Sequence, residues 1–209
     1  MDKYMTLMQL AMSKSNWHFD PAIKSIDFRE IGNVTISNRE VDDFLLRLEQ
    51  EQALKLKTLG GRKSKYGSQA DINELDQWGY EDNIEFLSIA EIKTTSLSFI
   101  PELIKVLPLR KPHFELMIQR PGQMLPLHID MYNAYRRNTN LEINQISRYL
   151  VALSNWDWGH YFNVGNSIWH QWQAGDIITW SPFMYHASAN CGRKNKITMS
   201  ITGITCISE

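Results

Sequence analysis

The sequence predicts a mainly β protein with flanking helices, built on an antiparallel sandwich or barrel. The main observation is a change in hydrophobic period near residue 113. Before that point apolar residues recur at helical spacing, and after it apolar and polar residues alternate as in half-buried strands. The second half contains at least five short strand patterns with turn signals between them and no helical pattern. This organisation is typical of two-sheet antiparallel proteins.

The length and composition indicate a single compact unit. A chain of 209 residues fits one domain, and an apolar fraction of 43% is enough for a real core. We expect residues 1–110 to form an N-terminal helical or mixed annex packed on a core made by residues 111–209.

The charge and the cysteine content exclude several classes of protein. The formal net charge is −1, which argues against general nucleic-acid binding because that function needs a basic surface. The two cysteines are too few for a disulfide framework or a structural zinc site. No apolar run approaches the length of a membrane helix, and no N-terminal signal is visible. The expected location is therefore cytoplasmic, without membrane association.

The first half of the chain contains four weaker patterns. Residues 1–14 could form a short helix, and residues 26–36 are predicted to be a strand with a Gly-Asn turn. Residues 61–83 are polar and loop-like. Residues 96–108 predict a second helix, which tolerates Pro101 only in its first turn.

The clearest helical pattern covers residues 37–61. Ser37 and Glu40 have the spacing of a capping box at its start. The apolar residues that follow keep helical spacing, and Gly60 and Gly61 are predicted to end the helix.

The strand patterns of the second half alternate clearly enough to be placed along the chain. They cover residues 113–120, 147–156, 161–172 (strand, turn, strand), 174–182 and 196–204.

The segment "LHIDM" places two polar side chains on an otherwise apolar strand. Residues two apart on a strand share a face, so His128 and Asp130 should project together while Leu127, Ile129 and Met131 face a core. A histidine and a carboxylate on one face supply two ligands of a 2-His-1-carboxylate site for non-haem Fe(II).

A second His-x-Asp pair shows how weak the motif is alone. His18 and Asp20 precede Pro21, in a segment with no strand pattern around it. We interpret Asp20 as a turn or cap residue and not as a metal ligand.

The C-terminal segment supplies a third candidate ligand and a polar strand face. His186 follows a predicted strand, and the strand at 196–204 places Lys196, Thr198 and Ser200 on one face. A basic side chain with a hydroxyl two residues later suits a carboxylate. The pattern therefore indicates a metal and an anion site close together.

This combination resembles the 2-oxoglutarate- and Fe(II)-dependent oxygenase superfamily. The family has a double-stranded β-helix (jelly-roll) core and a motif of His-x-Asp, a distal histidine, and a basic residue about ten positions further on with a hydroxyl two beyond it. The resemblance implies Fe(II), 2-oxoglutarate and O2 as cofactors. It implies that His128, Asp130 and His186 hold the iron, and that Lys196 and Thr198 bind the far carboxylate of 2-oxoglutarate.

The flanking residues are similar to the aspartyl/asparaginyl β-hydroxylase-like branch of that superfamily. The similar segments are "RPGQMLPLHID", "RYLVAL" and "WQAGDIITWSPFMYHASAN", and the whole resemblance covers residues 113–204. The resemblance implies Arg148 as a second cosubstrate contact. Tyr132 lies two residues past Asp130, and its shared face makes it a candidate for a hydrogen bond to the cosubstrate.

Several assignments have alternatives. Arg193 competes with Lys196 for the far carboxylate, because the family usually has Arg where this chain has Lys. Arg148 could also be a solvated residue at the start of its strand. Trp156 or Trp158 could form a wall of the substrate pocket.

The expected activity is hydroxylation of a peptide, amino acid or small molecule, with decarboxylation of 2-oxoglutarate to succinate. One alternative is a cupin-like metal enzyme that does not use 2-oxoglutarate, and another is a non-catalytic jelly-roll binding module. The sequence gives neither the substrate nor the oligomeric state.

Overall fold

The computed structural model describes residues 27–61 and 75–206, and these residues form two antiparallel sheets. The helix predicted at 1–14 and the pair His18/Asp20 lie outside the described residues. None of the helices within them is long and apolar enough to cross a membrane.

The larger sheet has seven strands. In spatial order they are β1 (Phe28–Asn33), β9 (Asp176–Trp180), β6 (Ile146–Ala152), β11 (Lys196–Thr205), β4 (Leu109–Gln119), β3 (Glu85–Ile92) and β2 (Lys55–Thr58).

The smaller sheet has four strands, and the described residues also include three bounded α-helices, one 3-10 turn and helical residues at 59–61 and 75–77. The strands are, in order, β5 (Met124–His128), β10 (His186–Asn190), β7 (His160–Val164) and β8 (Ser167–Trp169). The helices are α1 (Asn38–Gln50), α2 (Ile100–Val106) and α3 (Asn133–Thr139), followed by the 3-10 turn Ile143–Gln145.

The eight strands from β4 to β11 form a jelly roll. Four of them lie in each sheet, and the chain crosses between the sheets after β4, β5, β6, β8, β9 and β10. Two facing sheets of this kind are the double-stranded β-helix that the sequence analysis expected, so the predicted fold class is confirmed.

Period-two alternation on β11 separates the main core from the site. Ile197, Met199 and Ile201 are buried in a cluster that includes apolar residues of α1 and α2. The helices therefore cover the outer face of the larger sheet. The residues between these positions, such as Lys196 and Thr198, face the smaller sheet and the space between the two sheets.

The predicted helix over 37–61 is too long, because the chain leaves the helix after Gln50 and forms β2. Gln52 takes a left-handed conformation with φ of 53°, which breaks the helical path. Leu54 and Leu56 fit a period of two as well as helical spacing, and β2 pairs with β3.

The predicted capping box is only half formed. Ser37 Oγ accepts the hydrogen bond of the Glu40 backbone N–H at 3.4 Å. The Glu40 carboxylate accepts instead from the backbone N–H and the hydroxyl of Ser98, at 2.6 and 2.7 Å. The interaction ties the first turn of α1 to the segment before α2.

The rest of the N-terminal half extends the larger sheet. The predicted strand at 26–36 is found as β1, and the helix predicted at 96–108 is found as α2 with Pro101 in its first turn. Strand β3 lies between the predicted loop and α2, where no strand was expected. Because β1, β2 and β3 all pair into the core sheet, the proposed annex supplies strands as well as helices, and the boundary at 110 stays a prediction.

Candidate metal centre and its pocket

Strand pairing in the smaller sheet brings the two candidate histidines together. Strands β5 and β10 are antiparallel neighbours, and His128 lies directly opposite His186. Their ring centroids are 4.2 Å apart. One ligand atom from each of His128, Asp130 and His186 lies within 4.8 Å of the others. The structure therefore places the three predicted ligands in one cluster.

The route by which Asp130 reaches the cluster differs from the prediction. Strand β5 ends at His128, so Asp130 lies in the segment that follows and not on the same strand. The pairing of β5 with β10 shifts register before His128, and Leu127 is 42% exposed. The expectation that Leu127 faces a core is wrong, because the outer face of the smaller sheet is open at this position. Ile129 is buried as expected.

Backbone carbonyls orient both imidazoles. His128 Nδ1 lies 2.8 Å from the carbonyl oxygen of Pro126, and His186 Nδ1 lies 3.1 Å from that of Met184. A carbonyl only accepts, so each Nδ1 carries a proton, which leaves Nε2 as the nitrogen that could bind a metal. The Nε2 atoms of His128 and His186 lie 3.8 and 3.4 Å from the Asp130 carboxylate oxygens. Such carbonyl partners are common behind metal-binding histidines.

Asp130 is a buried anion with one oxygen unsatisfied. Its Oδ1 accepts a hydrogen bond from the Arg148 guanidinium at 2.8 Å, while its buried Oδ2 has no hydrogen-bond partner among the described residues. Burial alone would raise the pKa of Asp130, but Arg148, His186 and His128 together hold that pKa well below its usual range. An ionised carboxylate beside two imidazole nitrogens fits a divalent metal with N and O ligands.

Arg148 pairs with the candidate metal ligand Asp130. Its guanidinium pairs with Asp130 and donates through Nε to Thr202 Oγ1 at 3.1 Å, and it lies 5.0 Å from the ring centroid of Tyr132. Arg148 thus fixes the candidate metal ligand. Its role as a direct cosubstrate contact stays a prediction, although its side chain also lines the pocket.

Tyr132 is buried against this arginine at the start of α3. Its backbone is left-handed, with φ of 49°, and its ring is 7% exposed. Burial and the nearby Asp130 charge raise the pKa of its phenol, so it remains a neutral hydroxyl. The hydrogen bond from Tyr132 to a cosubstrate stays a prediction.

A narrow pocket runs between the sheets from the two histidines. It encloses about 40 Å³, which is room for only a few water molecules. The polar lining is Gln119, Arg148, Ser188, Thr198 and Ser200, and the apolar lining is Leu87, Met117, Leu125, Leu150, Phe162 and Trp180.

The tryptophan that lines this pocket is Trp180. Trp156 lines a separate surface groove, and Trp158 is 80% exposed. Trp156 is directed away from the pocket because its indole N–H donates to the carbonyl of His160. Neither predicted tryptophan therefore walls the candidate site.

Lys196 lies behind two polar residues of the pocket lining, Gln119 and Ser188. It is 2% exposed, and its ammonium donates to Tyr161 O at 2.6 Å, to Gln119 Oε1 at 3.3 Å and to Ser188 Oγ. Burial lowers the pKa of Lys196 to about 7. Arg193, the competing basic residue, is exposed on the turn before β11.

Two polar residues that line the pocket were not predicted from the sequence. Gln119 ends β4, and Ser188 follows His186 by two positions on β10, so it shares the face of that histidine. The period-two rule that placed Asp130 with His128 would also have placed Ser188 in the pocket.

Comparison with known proteins supports the fold. No protein-family model matches the sequence, and no curated protein sequence matches it. The structure is similar to a prolyl-4-hydroxylase from Pseudomonas putida, with a TM-score of 0.55 and 10% identity over 97% of this chain and 100% of that one. It is also similar to EvdMO1, with a TM-score of 0.52 and 15% identity over 87% of this chain and 48% of that one. At these identities the likeness shows a shared fold.

Proposed function

We propose that this protein is a non-haem Fe(II) oxygenase that uses 2-oxoglutarate as cosubstrate. The observation that carries the proposal is the cluster His128/Asp130/His186 beside a pocket whose lining residues Gln119 and Ser188 contact the buried Lys196. A 2-oxo dicarboxylate has one group that suits the metal cluster and one that suits the surroundings of Lys196. Its 2-oxo acid end can chelate a metal, and its far carboxylate suits a cationic region.

In this proposal His128, His186 and Asp130 would hold the metal, the histidines through Nε2 and the aspartate through Oδ2. Arg148 holds the other carboxylate oxygen, which fixes the orientation of the ligand and keeps it ionised. Iron bound there would supply O2 activation coupled to oxidative decarboxylation of 2-oxoglutarate to succinate. A triad of protein ligands leaves coordination positions for the cosubstrate and O2.

The pocket residues would bind and orient the cosubstrate. Phe162, Leu150 and Trp180 give the pocket apolar lining, which would exclude water from the bound cosubstrate. Thr198 faces the pocket on β11 and would donate its hydroxyl to the far carboxylate, in the position that the family resemblance implies. We propose a peptide, amino acid or small molecule as the substrate, hydroxylated at a C–H bond.

A single-turnover assay tests this function. Protein loaded with Fe(II) and 2-oxoglutarate without O2 would be exposed to O2, and succinate would be measured by mass spectrometry. We expect Fe(II)-dependent succinate in the wild type and none in Asp130→Ala. Metal binding without succinate in the wild type would contradict the use of 2-oxoglutarate and favour the cupin-like alternative. Absence of metal binding would favour a non-catalytic binding module.

A further inference from the structure

The Lys196 ammonium has no donor left for an incoming anion. An ammonium has three N–H donors, and Lys196 directs one each to Tyr161 O, Gln119 Oε1 and Ser188 Oγ. Its nitrogen also lies 5.4 Å and 5.7 Å from the ring centroids of Phe162 and Trp172. The side chain is therefore held by acceptors and by aromatic rings, and it does not line the pocket.

Ser188 stands between this ammonium and the pocket. Its side chain lines the pocket, and its Oγ accepts a hydrogen bond from Lys196. The same hydroxyl donates to Gln119 Oε1 at 2.6 Å. Gln119 is fixed in turn, because its Nε2 donates to the carbonyl oxygens of Phe86 and Ser188 at 3.3 Å each.

We propose that Ser188 contacts the far carboxylate of the cosubstrate together with Thr198, and that Lys196 is a positioning residue that acts through the Ser188 hydroxyl. This inference rests on the proposed function. When the carboxylate arrives, the Ser188 O–H turns from Gln119 Oε1 toward the anion while its oxygen keeps the Lys196 hydrogen bond. Gln119 Oε1 also keeps a donor, because Lys196 still reaches it. The rotation of one hydroxyl thus leaves no buried group unsatisfied.

The arrangement explains how a lysine whose three N–H donors are already used can still strengthen the binding of an anion. A hydroxyl that accepts from an ammonium is polarised, which makes it a stronger donor to a carboxylate. Lys196 would supply positive charge without leaving its own acceptors, so Tyr161 O and Gln119 Oε1 stay paired. Direct contact by Lys196 would require at least one of these hydrogen bonds to break.

The test is the affinity of Fe(II)-loaded protein for 2-oxoglutarate, measured by anaerobic calorimetry. Ser188→Ala removes the donor, and we expect the affinity to fall roughly 10- to 100-fold, as for loss of a hydrogen bond to a charged group. Ser188→Thr keeps the hydroxyl and should remain within about threefold of the wild type. Fe(II) affinity and thermal unfolding of the variants establish that the metal site and the fold are intact.

Two further affinity measurements test how Ser188 acts. A 2-oxo monocarboxylate lacks the far carboxylate, so its affinity should change by less than about threefold in Ser188→Ala. In a Lys196→Met background, Ser188→Ala should have much less effect than in the wild type, because the two residues act as one unit.

The outcomes separate this inference from the proposed function. If the wild type binds no 2-oxoglutarate, the proposed function fails. If the wild type binds it and Ser188→Ala binds it equally well, the function stands and Lys196 reaches the anion without Ser188. An equal loss for the monocarboxylate would also overturn the inference, since Ser188 would then act at the metal end.

Discussion

The metal region and the Lys196 region of the pocket are built in opposite ways. At the metal region, the buried Oδ2 of Asp130 has no hydrogen-bond partner among the described residues, His186 Nε2 lies 3.4 Å from it, and His128 Nε2 lies 3.8 Å from the other oxygen. At the other region, Lys196 and Ser188 are paired with each other and with neighbouring acceptors. A buried unsatisfied oxygen is costly, whereas a satisfied network is stable without a ligand.

The two regions therefore differ in how far their stability depends on a ligand. The metal cluster is incomplete as a set of protein groups, because Arg148 satisfies one oxygen of the ionised Asp130 and the other has no hydrogen-bond partner among the described residues. The Lys196 network is complete and needs only a hydroxyl rotation to receive an anion. We therefore expect substitutions to have their largest effects in the metal cluster and smaller, more graded effects around Lys196.

The largest expected effect is the loss of metal binding in His186→Ala. Removal of one of three ligands should weaken Fe(II) binding more than about 100-fold, beyond the loss that follows changes behind a ligand. Anaerobic Fe(II) calorimetry measures the effect. His170→Ala is the matched control, since that histidine is exposed and packs near Trp156 at 6.5 Å. Equal losses in both variants would show that the cluster is not the metal site.

The next largest effect is expected for substitution of Arg148, which hydrogen-bonds the carboxylate of Asp130. Arg148→Leu should lower Fe(II) affinity roughly 10- to 100-fold, because Asp130 loses the donor that orients it. The same change leaves a buried anion without its partner, so the free energy of unfolding of the metal-free protein should fall by about 3 kcal/mol.

The control for Arg148 is Thr202→Val, which removes only the weaker contact of the guanidinium. Urea unfolding and metal calorimetry should both show a smaller effect for this variant. Unchanged metal affinity in Arg148→Leu would mean that Asp130 is oriented by something other than the arginine.

A moderate effect on 2-oxoglutarate affinity is expected when pH changes the charge of Lys196. Burial lowers the pKa of Lys196 to about 7, far below that of an ordinary lysine, so the side chain loses its proton as pH rises above neutrality. The bound carboxylate favours the protonated form. The affinity for 2-oxoglutarate should therefore be highest below pH 7 and fall by up to about 10-fold per pH unit above it.

Lys196→Arg supplies the comparison for the pH profile, because arginine stays charged throughout this range. Calorimetric affinities from pH 6 to 9 should be nearly flat above pH 7 in this variant. A slope as steep as that of the wild type would assign the pH dependence to another group.

The smallest expected effect is that of Arg193→Ala. Arg193 is exposed, outside the pocket lining, so 2-oxoglutarate affinity should stay within about twofold of the wild type. Lys196→Met should lose at least as much affinity as Ser188→Ala. A large loss in Arg193→Ala with little loss in Lys196→Met would exchange the roles of the two basic residues.

The sequence was sufficient to predict the features that depend on local periodicity. Alternation on β11 predicted that Lys196 and Thr198 share a face, and the His-x-Asp spacing predicted that His128 and Asp130 lie together, although Asp130 follows the end of its strand. The jelly-roll core followed from the same alternation together with the family resemblance.

Features that depend on distant pairing could not be predicted. The hydrogen bond from Arg148 to Asp130 joins β6 of the larger sheet to the segment that follows β5. No local sequence pattern predicts a contact between two such elements. The end of α1 was misplaced because Leu54 and Leu56 satisfy both helical and strand spacing, and only the pairing of β2 with β3 decides between them.

The most direct test of the account is an anaerobic titration of the metal-free protein with Fe(II) and then 2-oxoglutarate, followed by visible absorption. We predict a weak charge-transfer band that requires both additions and is absent in His128→Ala, because the band reports chelation of 2-oxoglutarate to iron at this cluster. Binding of Fe(II) without such a band would contradict the proposal that the pocket receives 2-oxoglutarate.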